Sequence, residues 1–398
     1  PSSNRRQRQM CIRDRYLEML AETQIAKAAS YRTQGLEVEL LGSLNDALGS
    51  YRAIRNAMPD VPGYVENEAI ALTDLGLAYH DAAENQEAEK VLTAARTQFA
   101  DLVDAYGQVP RFRQRLAVCE DALGQVLLDS TESVDIATAM LSSATNGYTD
   151  LVDLSRRTPP AGVFQDATRS ANARLEYVQG VAIAQSHYAQ ALQRQGKLDD
   201  AKPYFAAAID LLGQLIAARD QPAYHHALAH THRRFALMLG GQAEAAAEAQ
   251  FVAARDQWTG MGEDMAASHA HDLAWMLCVC PDPAIRDLQI APTYAAKAVE
   301  SSPDNPRYLA TAALVSLLAD EDAAAAKATL DRVKATRGHW IDRDHFILAL
   351  SEHAAGQADP AEMALSEGVR WMEENRPHNA DSRVLRDLVE AKLENQVE

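Results

Sequence analysis

The chain has little of what disulfide scaffolds, sheets and membrane spans require. Four cysteines in 398 residues (Cys11, Cys119, Cys278 and Cys280) are too few for a disulfide framework and fit a reducing compartment. Aromatic residues make up only 6% of the chain, which disfavours a sheet-rich fold built on aromatic and β-branched strands. The densest apolar run, Leu273 to Cys280, falls far short of the roughly 18 residues that a membrane-spanning helix needs. No pattern of basic, apolar and small residues marks a secretory signal, so the expected location is cytoplasmic. Positive charge is also scarce. A formal net charge of −18 argues against generic binding to nucleic acid or to an anionic membrane surface. Any polyanion site would need a local basic island, and none is visible beyond the first fifteen residues.

Those residues differ from the rest. Residues 1–15, P-S-S-N-R-R-Q-R-Q-M-C-I-R-D-R, concentrate arginine in an otherwise acidic chain. The run Gln7 to Arg15 resembles a translated sequencing adapter, and the segment is set aside as non-native or disordered. The functional alternative is a basic arm for a partner or nucleic acid. The chain starts without methionine, and the expectation is a fragment.

Alanine is abundant, the apolar share is 47%, and the pattern is helical. In Ala182 to Leu212, Tyr188, Ala189 and Leu192 fall on one helical face. Ala201, Phe205, Ala208 and Leu212 fall on the next, after a turn at Gly196. A small residue, a bulky one four later and a small one three after that share a face, and small residues allow two helices to approach closely. The same seam returns as Ala47/Tyr51/Ile54, Ala88/Leu92/Ala95, Ala137/Leu141/Ala144, Ala247/Phe251/Ala254, Ala291/Ala298 and Ala361/Leu365/Gly368, and more weakly as Ala326/Leu330. Leu75-Gly76 and Leu123-Gly124 mark the facing helices. Val-Pro followed two residues later by an aromatic, at Val61-Pro62-Gly63-Tyr64 and Val109-Pro110-Arg111-Phe112, ends one hairpin and opens the next. Pro203, Pro292 and Pro360 are placed at or near the first turns of second helices. Thr158-Pro159-Pro160-Ala161-Gly162 is the clearest break, dividing the chain into sub-arrays over 16–158 and 163–398.

The spacing resembles the tetratricopeptide repeat, a helical hairpin of about 34 residues that stacks into solenoids, although the period here is longer and irregular. The expected fold is all-α: a tetratricopeptide-like superhelical solenoid of about eight hairpins. Three further stretches come in order: A-W-M-L-C-V-C-P-D-P-A-I-R-D (Ala274 to Asp287), Y-A-A-K-A-V-E-S-S-P-D-N-P-R-Y (Tyr294 to Tyr308) and G-V-R-W-M-E-E-N-R-P-H-N (Gly368 to Asn379). Together they resemble the C-terminal repeat region of large bacterial serine/threonine protein kinases. That resemblance implies a non-catalytic interaction or regulatory region, with a kinase domain upstream. No kinase motif is present here, and Asp342-Arg343-Asp344-His345 is not the catalytic-loop sequence.

In such solenoids a protein or peptide segment lies in the concave groove lined by the first helices. By that register, Thr73, Leu77, His80, Asp121, Gln125, Ser186, Gln190 and Arg194 are the candidate partner-binding residues. The lysine/asparagine carboxylate clamp of some relatives is not matched at these places. No cofactor and no catalytic residue are expected. The competing function is a metal- or small-molecule-sensing regulator built on the helix carrying His225, His226, His230 and His232. His226 and His230, four apart, share a face and could hold a transition metal. Without a Glu-x-x-His frame they read first as solvated or groove histidines. His269, His271, Cys278 and Cys280 give no paired zinc frame, and the cysteines read as buried apolar residues.

Overall fold

A computed structural model describes residues 2–130, 134–157, 164–240 and 243–394, with side chains from residue 15 and, past the central gap, from residue 171. Among the described residues the chain is helical without strands, as seventeen α-helices and two short 3-10 turns. The helices pair in sequence as antiparallel hairpins: α1 (Ser2–Gln34) with α2 (Glu37–Ala57), α3 (Pro62–Asp81) with α4 (Asn85–Ala105), α5 (Pro110–Asp129) with α6 (Val134–Arg157), and α7 (Phe164–Arg194) with α8 (Leu198–Ala218). Then follow α9 (Pro222–Leu239) with α10 (Glu244–Thr259), α11 (Ala267–Val279) with α12 (Ala291–Ser301), α13 (Pro306–Ala319) with α14 (Ala323–Arg337), and α15 (Asp342–Ala354) with α16 (Ala358–Asn375). The fold is therefore the expected solenoid of eight hairpins. A single further helix, α17 (Ala380–Glu394), packs mainly on α15 and buries Leu385 and Val389. It caps the last hairpin, as the ends of stacked arrays require.

The seam residues are the core. Ala88, Leu92, Ala95, Ala137, Leu141, Ala144, Ala201, Phe205, Ala208, Ala326 and Leu330 are all fully buried. The weak seventh unit is thus a true hairpin. Gly124 shows why small residues recur: a methyl group added there would lie 2.5 Å from Leu141 Cγ, so the two helices touch through bare backbone. Pro62, Pro110, Pro222 and Pro306 occupy the first positions of α3, α5, α9 and α13, where a missing amide costs no helical bond. Pro203 lies further in than expected, as the sixth residue of α8, where it does remove an intrahelical donor. The break at Pro159-Pro160 falls outside the described residues. Helix α1 starts well before the first seam residue and buries Ala21 and Ala28.

Several hairpin turns use a left-handed residue. Gly35, Gly196 and Gly356 do so (φ 71°, 75° and 75°), but Ala83 and Glu321 do it without glycine (φ 63° and 55°). Gly35 meets a second demand, because a Cβ there would lie 2.3 Å from Asn305 Cγ.

That contact belongs to a seam between distant hairpins. Ser302 Oγ donates to Thr33 O (2.7 Å), Arg337 Nε lies 3.5 Å from Glu37, and Arg307 faces Asp81 at 3.8 Å. Asn85 Nδ2 donates to Asn375 O (3.2 Å) and Asn379 Nδ2 to Asp129 Oδ2 (3.3 Å). The turn ends of hairpins one to three thus rest on the edges of hairpins seven and eight and on the start of α17. The superhelix comes round onto itself through polar contacts, and the first helices surround an interior. Among the described residues no helix is long and apolar enough to cross a membrane.

Candidate functional site

Polar side chains pass from one first helix to the next along the interior. Asp121 on α5 pairs with His187 on α7 (2.8 Å), and Arg234 on α9 reaches Ser186 on α7 (3.5 Å). His230 on α9 meets Asp272 on α11 (3.2 Å), and His271 on α11 meets Thr311 on α13 (3.0 Å). Arg233 pairs with Asp381 at the start of α17, and Arg376 holds Asp342 through two bonds. The first helices repeat at one register, so their inward positions line up as rungs.

Two cavities open on this interior, with His230 on the wall of both. One, of about 220 Å³, is lined by His80, Gln125, Asp129, Gln190, Arg194, Arg233, Arg234, His378, Asn379 and Asp381. Four of the eight groove residues expected from the sequence (His80, Gln125, Gln190 and Arg194) therefore converge. The other four do not reach it. Thr73 is buried and donates to Ala69 O in its own helix (2.9 Å), Leu77 packs against the N-terminal core, Asp121 is engaged by His187, and Ser186 is fully buried.

The cavity carries an excess of positive charge. Arg233 is neutralised by Asp381. Among the described residues, Arg194 and Arg234 have no carboxylate within ion-pair distance: Arg194 donates to Leu128 O and Arg234 to Ser186 Oγ. Burial and the adjacent Arg233 guanidinium push Arg234 down to about 10, and burial also lowers Arg194 against the pull of Asp129. Asp129, on the same wall, is raised by burial despite His80 and Arg376, which weakens it as a counter-ion. The expectation that no basic island exists beyond the N-terminus is corrected here. Arg194 and the Arg233-Arg234 pair lie forty residues apart in the sequence, and folding brings them together from neighbouring hairpins.

The second cavity, of about 370 Å³, lies between the N-terminal hairpins and α9, α11 and α13. Its lining includes Arg32, Glu37, Asp81, His226, His230, His271, Asp272, Arg307 and Tyr308. His226 and His230 line this cavity, each with about a quarter of its side chain exposed. Burial and the adjoining His230 hold His226 down to about 3, and burial does the same to His271. Burial would raise Asp272, but the hydrogen bond from His230 and the nearby imidazoles of His230, His271 and His226 outweigh it and keep the carboxyl below its usual range. Asp272 is the residue the sequence reading missed, one position after the noted His271. Cys278 and Cys280 are buried as expected, Cys119 is buried as well, and burial raises the thiols of Cys119, Cys278 and Cys280 to about 12, 12 and 11. Asp342 and Asp344 are buried ion-pair partners of Arg376 and Arg337. Among the hydroxyl–imidazole and carboxylate–imidazole contacts, Thr311–His271 is buried. At Asp121–His187, no described hydroxyl or thiol hydrogen-bonds the second ring nitrogen of His187.

No protein-family model matches the chain, and no curated protein matches it. Among solved structures it is similar to yeast Tom70, at 12% identity and a TM-score of 0.38 over 95% of this chain and 90% of that one. It is also similar to a tetratricopeptide repeat protein from Parabacteroides merdae, at 11% identity and a TM-score of 0.30 over 94% of this chain and 98% of that one. Likeness at this level transfers neither a binding site nor an activity.

Proposed function

We propose that this protein is a non-catalytic interaction scaffold that grips a carboxylate-bearing segment of a partner protein in the Arg194–Arg234 cavity. The carrying observation is the pair of guanidinium groups that face a cavity without carboxylate partners. A charge-assisted bond to each would satisfy donors that the chain itself leaves under-used. Gln125, Gln190 and Asn379 beside them offer both donors and acceptors for a peptide backbone. Recognition would then sit in a few anchors on a pre-formed array, with little rearrangement of the hairpins. The wider setting, the cytoplasmic repeat region of a bacterial signalling protein such as a serine/threonine kinase, rests on the three C-terminal sequence stretches alone.

The test uses fluorescein-labelled decapeptides, acidic or basic but otherwise matched, in polarisation titrations at low and moderate salt. The acidic peptide is expected to bind and to weaken as salt screens the charges. In Arg194→Gln/Arg234→Gln, two lost charged bonds should weaken it by about tenfold or more. Equal binding of both peptides, or undiminished binding by the double variant, contradicts the proposal.

A further inference from the structure

The 370 Å³ cavity contains a group that the partner-binding reading does not use. His226 and His230 sit one turn apart on α9, and Asp272 projects from α11 of the next hairpin. Asp272 Oδ2 lies 3.2 Å from His230 Nε2 and 3.8 Å from His226 Nε2, and all three ligand atoms fall within 4.8 Å of one another. Ligand atoms on a tetrahedral zinc, bonded at about 2.0–2.1 Å, stand roughly 3.3–3.4 Å apart. The trio therefore needs only side-chain adjustment to close on an ion.

We propose that His226, His230 and Asp272 form a binding site for a divalent transition-metal ion of the zinc class. Two imidazoles and one carboxylate match the ligand chemistry of zinc with a fourth position left open. All three residues line the cavity, so the open position faces a space large enough for water or an anionic ligand. Their surroundings hold them in place. His269 stacks on His226 with ring centroids 3.9 Å apart, and its buried Nδ1 has no hydrogen-bond partner. Trp258 contacts both rings, edge-on to His230 with centroids 5.2 Å apart and tilted to His226 at 6.3 Å. Asp272 receives no arginine or lysine among the described residues; its ion-pair neighbours are His226, His230 and His271. A carboxylate surrounded by imidazoles presents its charge to an incoming cation with no guanidinium bonded to it, although the fields of Arg233, Arg234 and Arg307 reach it.

One contact opposes the ion. Trp258 Nε1 donates to His226 Nδ1 at 3.2 Å, which places the neutral ring's proton on Nε2. Ligation through Nε2 moves that proton to Nδ1 and turns the indole N–H away, so one neutral hydrogen bond is exchanged for a metal–nitrogen bond. Because α9 and α11 belong to successive hairpins, the ion would pin hairpin five to hairpin six. The site also shares His230 with the smaller cavity, which gives metal occupancy a direct route to the partner-binding wall.

The test is titration of the purified, chelator-treated chain with Zn²⁺ by calorimetry and with Co²⁺ by visible absorption. One ion per chain is expected, with the intense visible band of four-coordinate cobalt. His230→Gln and Asp272→Asn should each weaken binding by at least about a hundredfold, more than loss of an outer-shell partner does. His225→Gln, whose ring faces Asp220 and Gln257 instead, should leave it unchanged. Should a variant fail to fold, as circular dichroism would show, the cobalt spectrum of the wild-type chain decides alone. The proposal is overturned by weak octahedral cobalt absorption, by no stoichiometric uptake, or by uptake that survives in folded His230→Gln and Asp272→Asn.

Discussion

Replacing Arg376 with alanine should destabilise the C-terminal end of the array by about 3–5 kcal/mol, the range for stranding one member of a buried ion pair. Asp342 has no exposed surface and Arg376 only 6% of its side chain exposed, and the guanidinium holds both carboxylate oxygens. Arg376 follows α16 while Asp342 opens α15, so the pair closes the last hairpin next to the first turn of α17. Once the arginine is gone, the carboxylate keeps the Arg343 backbone N–H (2.8 Å) and Ser382 as hydrogen-bond partners and the more distant charge of the Arg343 guanidinium. None of these replaces a two-point salt bridge, and the group must take up a proton or draw in water. The loss should be local. Each hairpin leans mainly on its neighbours, so α15 to α17 should melt before the N-terminal hairpins and the transition should lose its two-state shape. Hydrogen exchange resolves this: protection should fall in α15–α17 and persist in α3–α6. The matched double variant Asp342→Leu/Arg376→Met should recover most of the loss, because a buried pair contributes little beyond an apolar replacement of the same volume. An Arg376→Ala variant as stable as the wild type would show that the pair is not buried in solution.

Acid should weaken the metal-free protein through its buried imidazoles. His226 and His271 are held neutral down to about 3 in the folded chain, against about 6.5 when unfolded. Between these values the unfolded chain binds protons that the folded chain refuses. Stability is therefore intact above about pH 6.5 and falls as pH drops towards 3, at up to about 1.4 kcal/mol per unit for each ring. From pH 7 to pH 5 the two rings together account for about 4 kcal/mol at most, and the 27% exposure of the His226 side chain reduces its share. Asp342 and Asp381, whose carboxyls are lowered by Arg376 and Arg233 against the cost of burial, add a separate loss at still lower pH. Urea unfolding at pH 7, 6 and 5 measures the slope, and His226→Gln should reduce it. A flat or rising stability over that interval would mean that the two rings reach solvent.

The repeats were legible because helix packing depends on residue size at fixed spacing. Ala88/Leu92/Ala95 and Ala137/Leu141/Ala144 occupy the seam where the pattern places them, and Gly76 and Gly124 meet Leu92 and Leu141 as close helix approach requires. The connectors at Val61-Pro62 and Val109-Pro110 set the helix starts through proline's fixed φ and missing donor. Turns at Ala83 and Glu321 left no glycine to read, and the latter helps to explain why the seventh hairpin looked weak. Helix α17 escaped notice because a lone capping helix repeats nothing.

The site was legible only in part. His226 and His230 share a helical face by spacing alone, but the carboxylate they meet comes from another hairpin. His80, Gln125, Gln190 and Arg194 were placed by repeat register, which holds along a solenoid. Register cannot show that the superhelix returns onto itself, because those contacts join residues 250 to 290 positions apart and depend on the accumulated twist. Thr73 and Ser186 fall on the groove by the same register, yet both are buried: Thr73 bonds back to its own helix and Ser186 meets Arg234 of the next hairpin.

That closure converts an open groove into an enclosed interior with a positively charged cavity. It is tested most directly by joining the two edges of the seam. With Asp81→Cys and Arg307→Cys, whose native side chains lie 3.8 Å apart across it, a short bis-maleimide should link the two cysteines within one chain. Peptide mass spectrometry should then recover the 81–307 cross-link from monomeric protein, with neither single variant giving it. Absence of that cross-link from the folded monomer, with both cysteines fully reactive, would mean that the superhelix is open and that the cavity does not exist as described.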